Sequence, residues 1–256
     1  MLCRPLVVVK SMTADRPTAT PGIKTYALIQ RKTTTSKDEL VAHWFANHMP
    51  NVIARNEKAK ASGEPNAWRY EASIFEANDD SRQRWDGMAA LWYSDPPQIP
   101  NELRGLEPVD TFQEKVEPYR IFATEEFVFV DGELPVEPLK LNNPFPTTRS
   151  GFLKQISFVK PKPGIDLKTF RDHWLDIHGP NVRDTMKLAG GYRYSVSLAL
   201  DPEGAPCFGI PELYFPDRSA QKHFWEILKT DGFHEMSDQT NTVRYRCTTE
   251  MVGIAG

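Results

Sequence analysis

The sequence predicts an α+β chain of two tandem units, each running strand, helix, strand, strand, helix, strand, and three observations carry that expectation. The first is an internal repeat. His43-Trp44-Phe45-Ala46-Asn47-His48-Met49-Pro50-Asn51-Val52 recurs as His173-Trp174-Leu175-Asp176-Ile177-His178-Gly179-Pro180-Asn181-Val182, with six of ten positions identical at a shift of 130. Self-similarity at a fixed spacing marks a duplicated supersecondary unit. The second is that the flanks repeat in the same order. Ile23 to Gln30 falls on Leu153 to Lys160 at a shift of 130, Trp68-Arg69-Tyr70 on Tyr192-Arg193-Tyr194 at 124, and Leu91-Trp92-Tyr93 on Leu213-Tyr214-Phe215 at 122. The shift shrinks because the first copy carries more loop residues. The third is size: 256 residues suit one large domain or two small ones at ~100 to 200 residues each.

Taken in order, residues 1–21 hold three prolines and little periodicity beyond Leu6 to Val9, and read as a draped N-terminal arm. The first unit covers 22–130, a Pro-rich linker with Pro135, Pro138, Pro144 and Pro146 covers 131–150, and the second unit covers 151–256. Ile23 to Arg31 and Phe152 to Lys160 are rich in β-branched and aromatic residues and end in turn formers, as opening strands do. Ser36 and Asp166 stand where helix N-caps belong, and Pro50 and Pro180 are expected to end those helices. Trp68 to Glu76, Gly87 to Ser94, Gly191 to Leu200 and Cys207 to Phe215 alternate as half-buried strands. A second helix is expected over Arg218 to Lys229, with Phe224, Ile227 and Leu228 on one face. In the first unit only Thr111 to Val116 looks helical, in a stretch broken by Pro96, Pro97, Pro100 and Pro108. Tyr119 to Val130 and Thr242 to Val252 are the closing strands. This order is the ferredoxin-like split βαβ arrangement. Each sheet has helices on one face, so the two bare faces are expected to bury one another.

Composition excludes several classes. A hydrophobic fraction of 40%, a charged fraction of 25% and a net charge of -3 describe a globular chain without an electrostatic footprint for nucleic acid or anionic membrane. The run Leu6 to Val9 is far shorter than a signal-peptide core or a membrane span, so a cytoplasmic protein is expected. Cys3, Cys207 and Cys247 form neither a disulfide framework nor a thiolate zinc pattern. No G-x-G-x-x-G, G-x-x-x-x-G-K-[ST], H-E-x-x-H or G-x-S-x-G occurs. His43 and His48 are five apart, about 140° around a regular helix, a poor chelating pair. No metal and no cofactor is therefore expected. Glu125, Glu126 and Glu250 read as a solvated edge.

Helix phase selects the candidate base. Counting about 100° per residue from Phe170, Trp174 falls near 40°, His178 near 80° and His173 near 300°. His178, and likewise His48, lies inside the apolar stripe, whereas His173 and His43 lie at its margin. Burial would lower the pKa of such a histidine and keep it neutral and basic near pH 7, fit to act as a general base. A core histidine satisfied by a backbone carbonyl is the other reading of the same pattern.

The helical motif H-W-x3-H-G-P at 173–180, after a short strand and before a β-hairpin, resembles the EthD family of dimeric α+β barrel proteins. The first copy is similar to a second such unit, and the resemblance spans Gly22 to Val130 and Phe152 to Val252. It implies a fused dimer closing its own barrel, with a cleft between sheet and helices in each unit. It implies His178 and His48 as the bases, with walls from Tyr192, Tyr194, Trp174 and Phe158 in one unit and Tyr26, Trp44, Trp68 and Tyr70 in the other. His173, His43, Asn181, Arg193 and His234 are expected as supporting groups. The resemblance points to cofactor-independent lyase chemistry, decarboxylation, dehydration or cyclisation, on an aromatic, phenolic or polyketide-like small molecule. Other branches of the fold imply two alternatives: a haem protein with His178 as axial ligand, or a non-catalytic binding or stress protein. Fused units are expected to be able to pair again as a homodimer. Met49 stands where the second copy has Gly179, so the first cleft is expected to be plugged and His178 to outweigh His48 in turnover.

Overall fold

The computed structural model describes residues 16–77, 82–99, 101–134 and 151–256. Leu6 to Val9, Cys3 and most of the expected linker lie outside the described residues. Eight strands form one closed barrel in the order β1-β3-β2-β8-β5-β7-β6-β4. The first unit contributes β1 (Ile23–Ile29), β2 (Ala67–Phe75), β3 (Gly87–Tyr93) and β4 (Ile121–Asp131). The second contributes β5 (Leu153–Phe158), β6 (Arg193–Ala199), β7 (Gly209–Phe215) and β8 (Val243–Ala255). Each unit has its strands in the order last, first, third, second, the ferredoxin-like arrangement. The closing strands join the units: β8 pairs with β2 and β4 with β6, both antiparallel. The two expected sheets thus face each other and share edges, which leaves no open edge.

Ser36 and Asp166 cap the first helix of each unit, α1 (Lys37–His43) and α4 (Leu167–His173), by accepting from the backbone N–H of Glu39 and Thr169. The helices do not end at Pro50 and Pro180. Each passes through a wide π turn, Trp44–His48 or Trp174–His178, and continues as α2 (Met49–Ala61) or α5 (Gly179–Leu188). Met49 and Gly179 donate to the carbonyls of Trp44 and Trp174, five residues back. The proline that follows has no N–H to place, and one extra residue in the turn absorbs it without breaking the helix. Such π turns recur at functional sites, and each of these ends on the histidine expected to be the base.

Two cores lie between helices and sheet, one per unit, around Trp44, Phe45 and Phe112 and around Phe170, Trp174 and Phe233. Each tryptophan seats on a glycine of the third strand: a Cβ at Gly87 would stand 2.9 Å from Trp44 and one at Gly209 2.6 Å from Trp174. A third apolar cluster, with Tyr26, Phe158 and Tyr245, lies inside the barrel.

The barrel interior also holds charge. Lys24 bonds Glu126 at 2.9 Å and Glu212 at 3.1 Å, while Lys154 bonds Glu250 at 2.8 Å and lies 3.4 Å from Glu212. Tyr26 donates to Glu212 at 2.7 Å and Ser73 to Glu250 at 2.9 Å. Lys24 and Lys154, Glu126 and Glu250, and Ser73 and Ser197 are repeat-related positions. The expectation that Glu126 and Glu250 face solvent is corrected: both are buried, because the edges that looked free are the seam between the units. Glu125, the neighbour on the outer face, pairs with Arg171. Burial pushes the Glu250 carboxyl up. Burial opposes the charge on Lys154 as well, but Glu212 and Glu250 outweigh it and raise this ammonium group's pKa.

Residues 16–21 lie against the barrel. Thr20 donates its N–H to Glu126 and Ala19 bridges to Phe127, while Arg16 pairs with Asp172 and Asp176 of the second unit's first helical segment and π turn.

Met49 does not plug the first cleft. It is fully buried against Gly253 and Tyr70, across the seam on β8 and β2. Gly179 faces the counterpart position, where a Cβ would stand 2.2 Å from the Phe129 ring of β4. Phe129 and Gly253 are repeat-related, at a shift of 124. One seam therefore packs large helix residue on small strand residue, and the other packs small on large. Gly179→Met is expected to destabilise the protein by about 1 to 3 kcal/mol through overpacking. Adding Phe129→Gly should restore part of that in a double-mutant cycle read by denaturant unfolding. Equal and additive losses from the two substitutions would contradict the packing.

Candidate active site

A histidine, an aspartate, a phenylalanine and an asparagine meet in each unit. His48, at the end of its π turn, lies 2.7 Å through Nδ1 from Oδ2 of Asp110. Asp110 caps α3 (Thr111–Lys115), with its other oxygen accepting the N–H of Gln113. Phe112 stacks on the imidazole at 4.4 Å between ring centres. In the second unit His178 Nδ1 lies 2.8 Å from Asp231 Oδ2. Asn181 donates to the same Oδ2 at 2.6 Å, and Phe233, in α7 (Phe233–Met236), lies parallel to the imidazole at 3.9 Å. An ionised aspartate only accepts, so it fixes Nδ1 as donor and leaves Nε2 of the neutral ring as acceptor. Nε2 of either histidine has no protein hydrogen-bond partner among the described residues.

Sequence reasoning missed Asp110 and Asp231, and a signal for them existed. Asp110-Thr111-Phe112 falls on Asp231-Gly232-Phe233 at a shift of 121, next in the series 130, 124, 122. The short α3 is thus the counterpart of α7. The longer helix α6 (Arg218–Ile227) has no helical counterpart among the described residues of the first unit, where the proline-rich stretch after β3 runs as irregular chain.

Both histidines line cavities. The first unit's cavity has a volume of about 730 Å³ and includes His48, Trp44, Tyr70, Tyr93, Phe112 and Tyr119 in its walls. Part of its wall is the stretch from Pro97 to Val109 that replaces a helix. The second unit's cavity, about 430 Å³, is walled by His178, Tyr194, Leu213, Phe224, Trp225 and Asp231, among others. Here α6 occupies space that the first unit leaves open.

The other candidate residues divide as follows. Tyr70, Trp44 and Tyr194 line cavities, and Trp44 donates to the Tyr70 hydroxyl at 3.0 Å. His234 lies at the second cavity's rim. Tyr26 borders the first cavity, but its hydroxyl is held by Glu212 and Ser197. Phe158 points into the barrel, because strand alternation gives the cleft Gln155, Ser157 and Val159 instead. Trp174 is core, seated on Gly209. Trp68 is partly exposed beside Trp92, and Tyr192, just ahead of β6, lines neither cleft. Arg193 pairs with Asp131 away from the dyad. His43 bonds the Thr111 hydroxyl at 2.8 Å. His173 is half-buried, with its Nε2 buried and its ring facing Phe233. No group of three or more His, Cys, Asp or Glu among the described residues could hold a metal ion.

Burial lowers the His48 pKa, and Asp110 only partly offsets it, so the imidazole is neutral at pH 7. Burial would raise Asp110 and Asp231. The N–H of Gln113 with His48 and Asn51, and His178 with Asn181 and the N–H of Phe233, outweigh that and hold both carboxyls below their usual range. For all three groups the unfolded chain binds more protons between the folded and unfolded pKa values, so stability rises with pH there. The His48 contribution should fade as pH falls below its ordinary 6.5, and those of the aspartates below 3.8. Thermal midpoints measured from neutral to acid pH should fall through both windows. A midpoint that rises on acidification would contradict the dyads.

Comparison with known proteins bears on the second unit first. Residues 162–241 match the model of the EthD domain. The match lies wholly within the second unit and includes His178 and Asp231. No curated protein matches the chain. Among solved structures, an anthrone oxidase-like protein is similar over 91% of this chain and 94% of its own, at 12% identity and a TM-score of 0.50. A chlorite dismutase from Candidatus Nitrospira defluvii aligns over 88% and 90% at 9% identity and a TM-score of 0.47. A haem-binding protein from Thermus thermophilus aligns over 91% and 93% at 9% identity and a TM-score of 0.43. At 12% identity the likeness to the anthrone oxidase-like protein concerns the fold alone, an eight-stranded α+β barrel closed within one chain. No helix among the described residues is long and apolar enough to cross a membrane.

Proposed function

We propose that this protein is a cofactor-independent lyase that uses a His–Asp dyad as general base on a small aromatic or polyketide-like molecule. The observation that carries the reading is the dyad itself: an imidazole fixed by a carboxylate at Nδ1, with Nε2 free, in the wall of a cavity. Nε2 would take a phenolic proton or a proton α to a carbonyl. In a dehydration the anion expels hydroxide, which takes the proton from the aspartate-stabilised imidazolium and leaves as water; in a decarboxylation the imidazolium returns the proton to the ring carbon that bears the carboxylate, and carbon dioxide leaves as its bonding pair goes back to the ring. Both cavities are within the size range of small-molecule sites, and aromatic walls suit a flat substrate. Since Met49 leaves the first cleft open, His48 is the base of the leading site, and His178 serves the smaller cleft. Incubating the protein with phenolic acids and hydroxylated polycyclic compounds, and following carbon dioxide release and water loss, tests this.

A haem protein is the second reading, and the same geometry favours it. A metal-bound histidine commonly donates its other N–H to a carboxylate, and His178 with Asp231 behind it fits an axial ligand. A haem would supply redox chemistry there. The visible spectrum of the protein expressed with haem available separates the two: the lyase reading expects no Soret band, and a band lost in His178→Ala would overturn it in favour of haem.

A further inference from the structure

Both cavities have charged groups in their walls, Lys229, Asp231, Glu235 and Arg244 in the second and two arginines with two glutamates in the first. Arg55 of α2 and Arg104 of the proline-rich stretch both line the first. Neither forms an ion pair among the described residues. Both lie close enough to Tyr93 and Tyr119 to favour the ionised hydroxyls, against the burial that raises them, and Arg55 also acts on His48. The Nε of Arg55 donates to the Asn51 carbonyl at 3.2 Å. The repeat-related residue in the second unit is Thr185, whose hydroxyl makes the same bond to Asn181 at 2.8 Å. Tyr93 corresponds to Phe215. The first unit therefore keeps the anchoring contact and adds a guanidinium, and it adds a hydroxyl where the second unit has a bare ring. Glu102 and Glu107 also line this cavity, without pairing with either arginine.

We infer that the first cavity takes an aromatic carboxylate, the carboxylate received by Arg55 and Arg104 at the outer end and the ring laid among Tyr70, Tyr93 and Tyr119 toward His48. This deepens the acid–base reading, on which it rests for the role of His48. A guanidinium offers paired donors matched to a carboxylate. The ring's proton-bearing group then lies at the dyad end.

The test is calorimetric binding of 4-hydroxybenzoate and of its methyl ester to the full chain at moderate salt. The acid should bind roughly tenfold or more tightly than the ester. Arg55→Gln and Arg104→Gln should each remove roughly that advantage while leaving ester affinity unchanged. Arg218→Gln, which removes an exposed arginine paired with Glu76, should leave both unchanged and serves as the control for net charge. Equal affinity for acid and ester, acid binding that survives the Arg55→Gln/Arg104→Gln double substitution, or no binding of either probe would overturn the inference. Failure of the acid–base reading looks different: the protein would still prefer the acid, but turnover would be indifferent to His48→Ala.

Discussion

His48→Ala is expected to lower kcat on the protein's substrate by about 100-fold or more, the scale of a lost general base. The ring's removal also takes away the Asp110 contact and the stack on Phe112. Asp110 keeps the N–H of Gln113, so the stability cost should stay near 1 to 3 kcal/mol. Asp110→Asn separates the roles. An amide can donate to Nδ1 and select the wrong tautomer, so kcat should fall by about 10²- to 10⁴-fold while KM changes little. Because the substitution also removes the charge that partly holds up the His48 pKa, the acid limb of the pH profile should move to lower pH. His178→Ala should cost much less turnover than His48→Ala. The opposite ranking would place the chemistry in the smaller cleft. It would also restore the order expected from Met49 and Gly179 before their packing partners were known.

Lys154→Met is expected to be the most destabilising single substitution inside the barrel. Lys154 is fully buried between Glu212 and Glu250, and its removal takes the lysine away from Glu250 and leaves Lys24 to face Glu212 as well as Glu126. Breaking a buried ion pair from one side costs about 3 to 5 kcal/mol, and at about 2 to 4 °C per kcal/mol for a chain of this size the midpoint should drop by roughly 6 to 20 °C. Converting Glu212 and Glu250 to Gln in the same chain should recover part of the loss, since the penalty is the uncompensated charge and not the missing side chain. A drop below about 1 kcal/mol would mean that water reaches the network and screens it.

Much of this architecture is legible in the sequence, because a duplicated unit tests every element twice. The repeat around Trp44 and Trp174, the caps Ser36 and Asp166 and the strand alternation suffice to give the two-unit barrel. The inward histidines follow from the same pattern. What the sequence hid was long-range. Proline ends a regular helix, and nothing local at Pro50 says that a π turn will absorb it. Glu126 and Glu250 look solvated until the seam that buries them is built from the other unit's strand. Gly179 invites a ligand until Phe129, fifty residues upstream and in the other unit, is seen to fill the gap. Asp110 and Asp231 were within reach. Their Asp-x-Phe repeat is a weak signal beside the strongly amphipathic α6, because the short helices that follow the two aspartates have only five and four residues.

Each dyad fixes Nδ1 of its imidazole on an aspartate and leaves Nε2 to a cavity. Long-range proton–nitrogen correlation spectra of the ¹⁵N-histidine-labelled full chain at neutral pH test it most directly. His48 and His178, assigned by their Ala variants, should both carry the proton on Nδ1. Asp110→Asn should disturb His48 alone, and an added aromatic carboxylate should shift the His48 Nε2 resonance. Imidazoles protonated on Nε2, or a His48 signal unmoved by Asp110→Asn and by every aromatic ligand, would contradict the account.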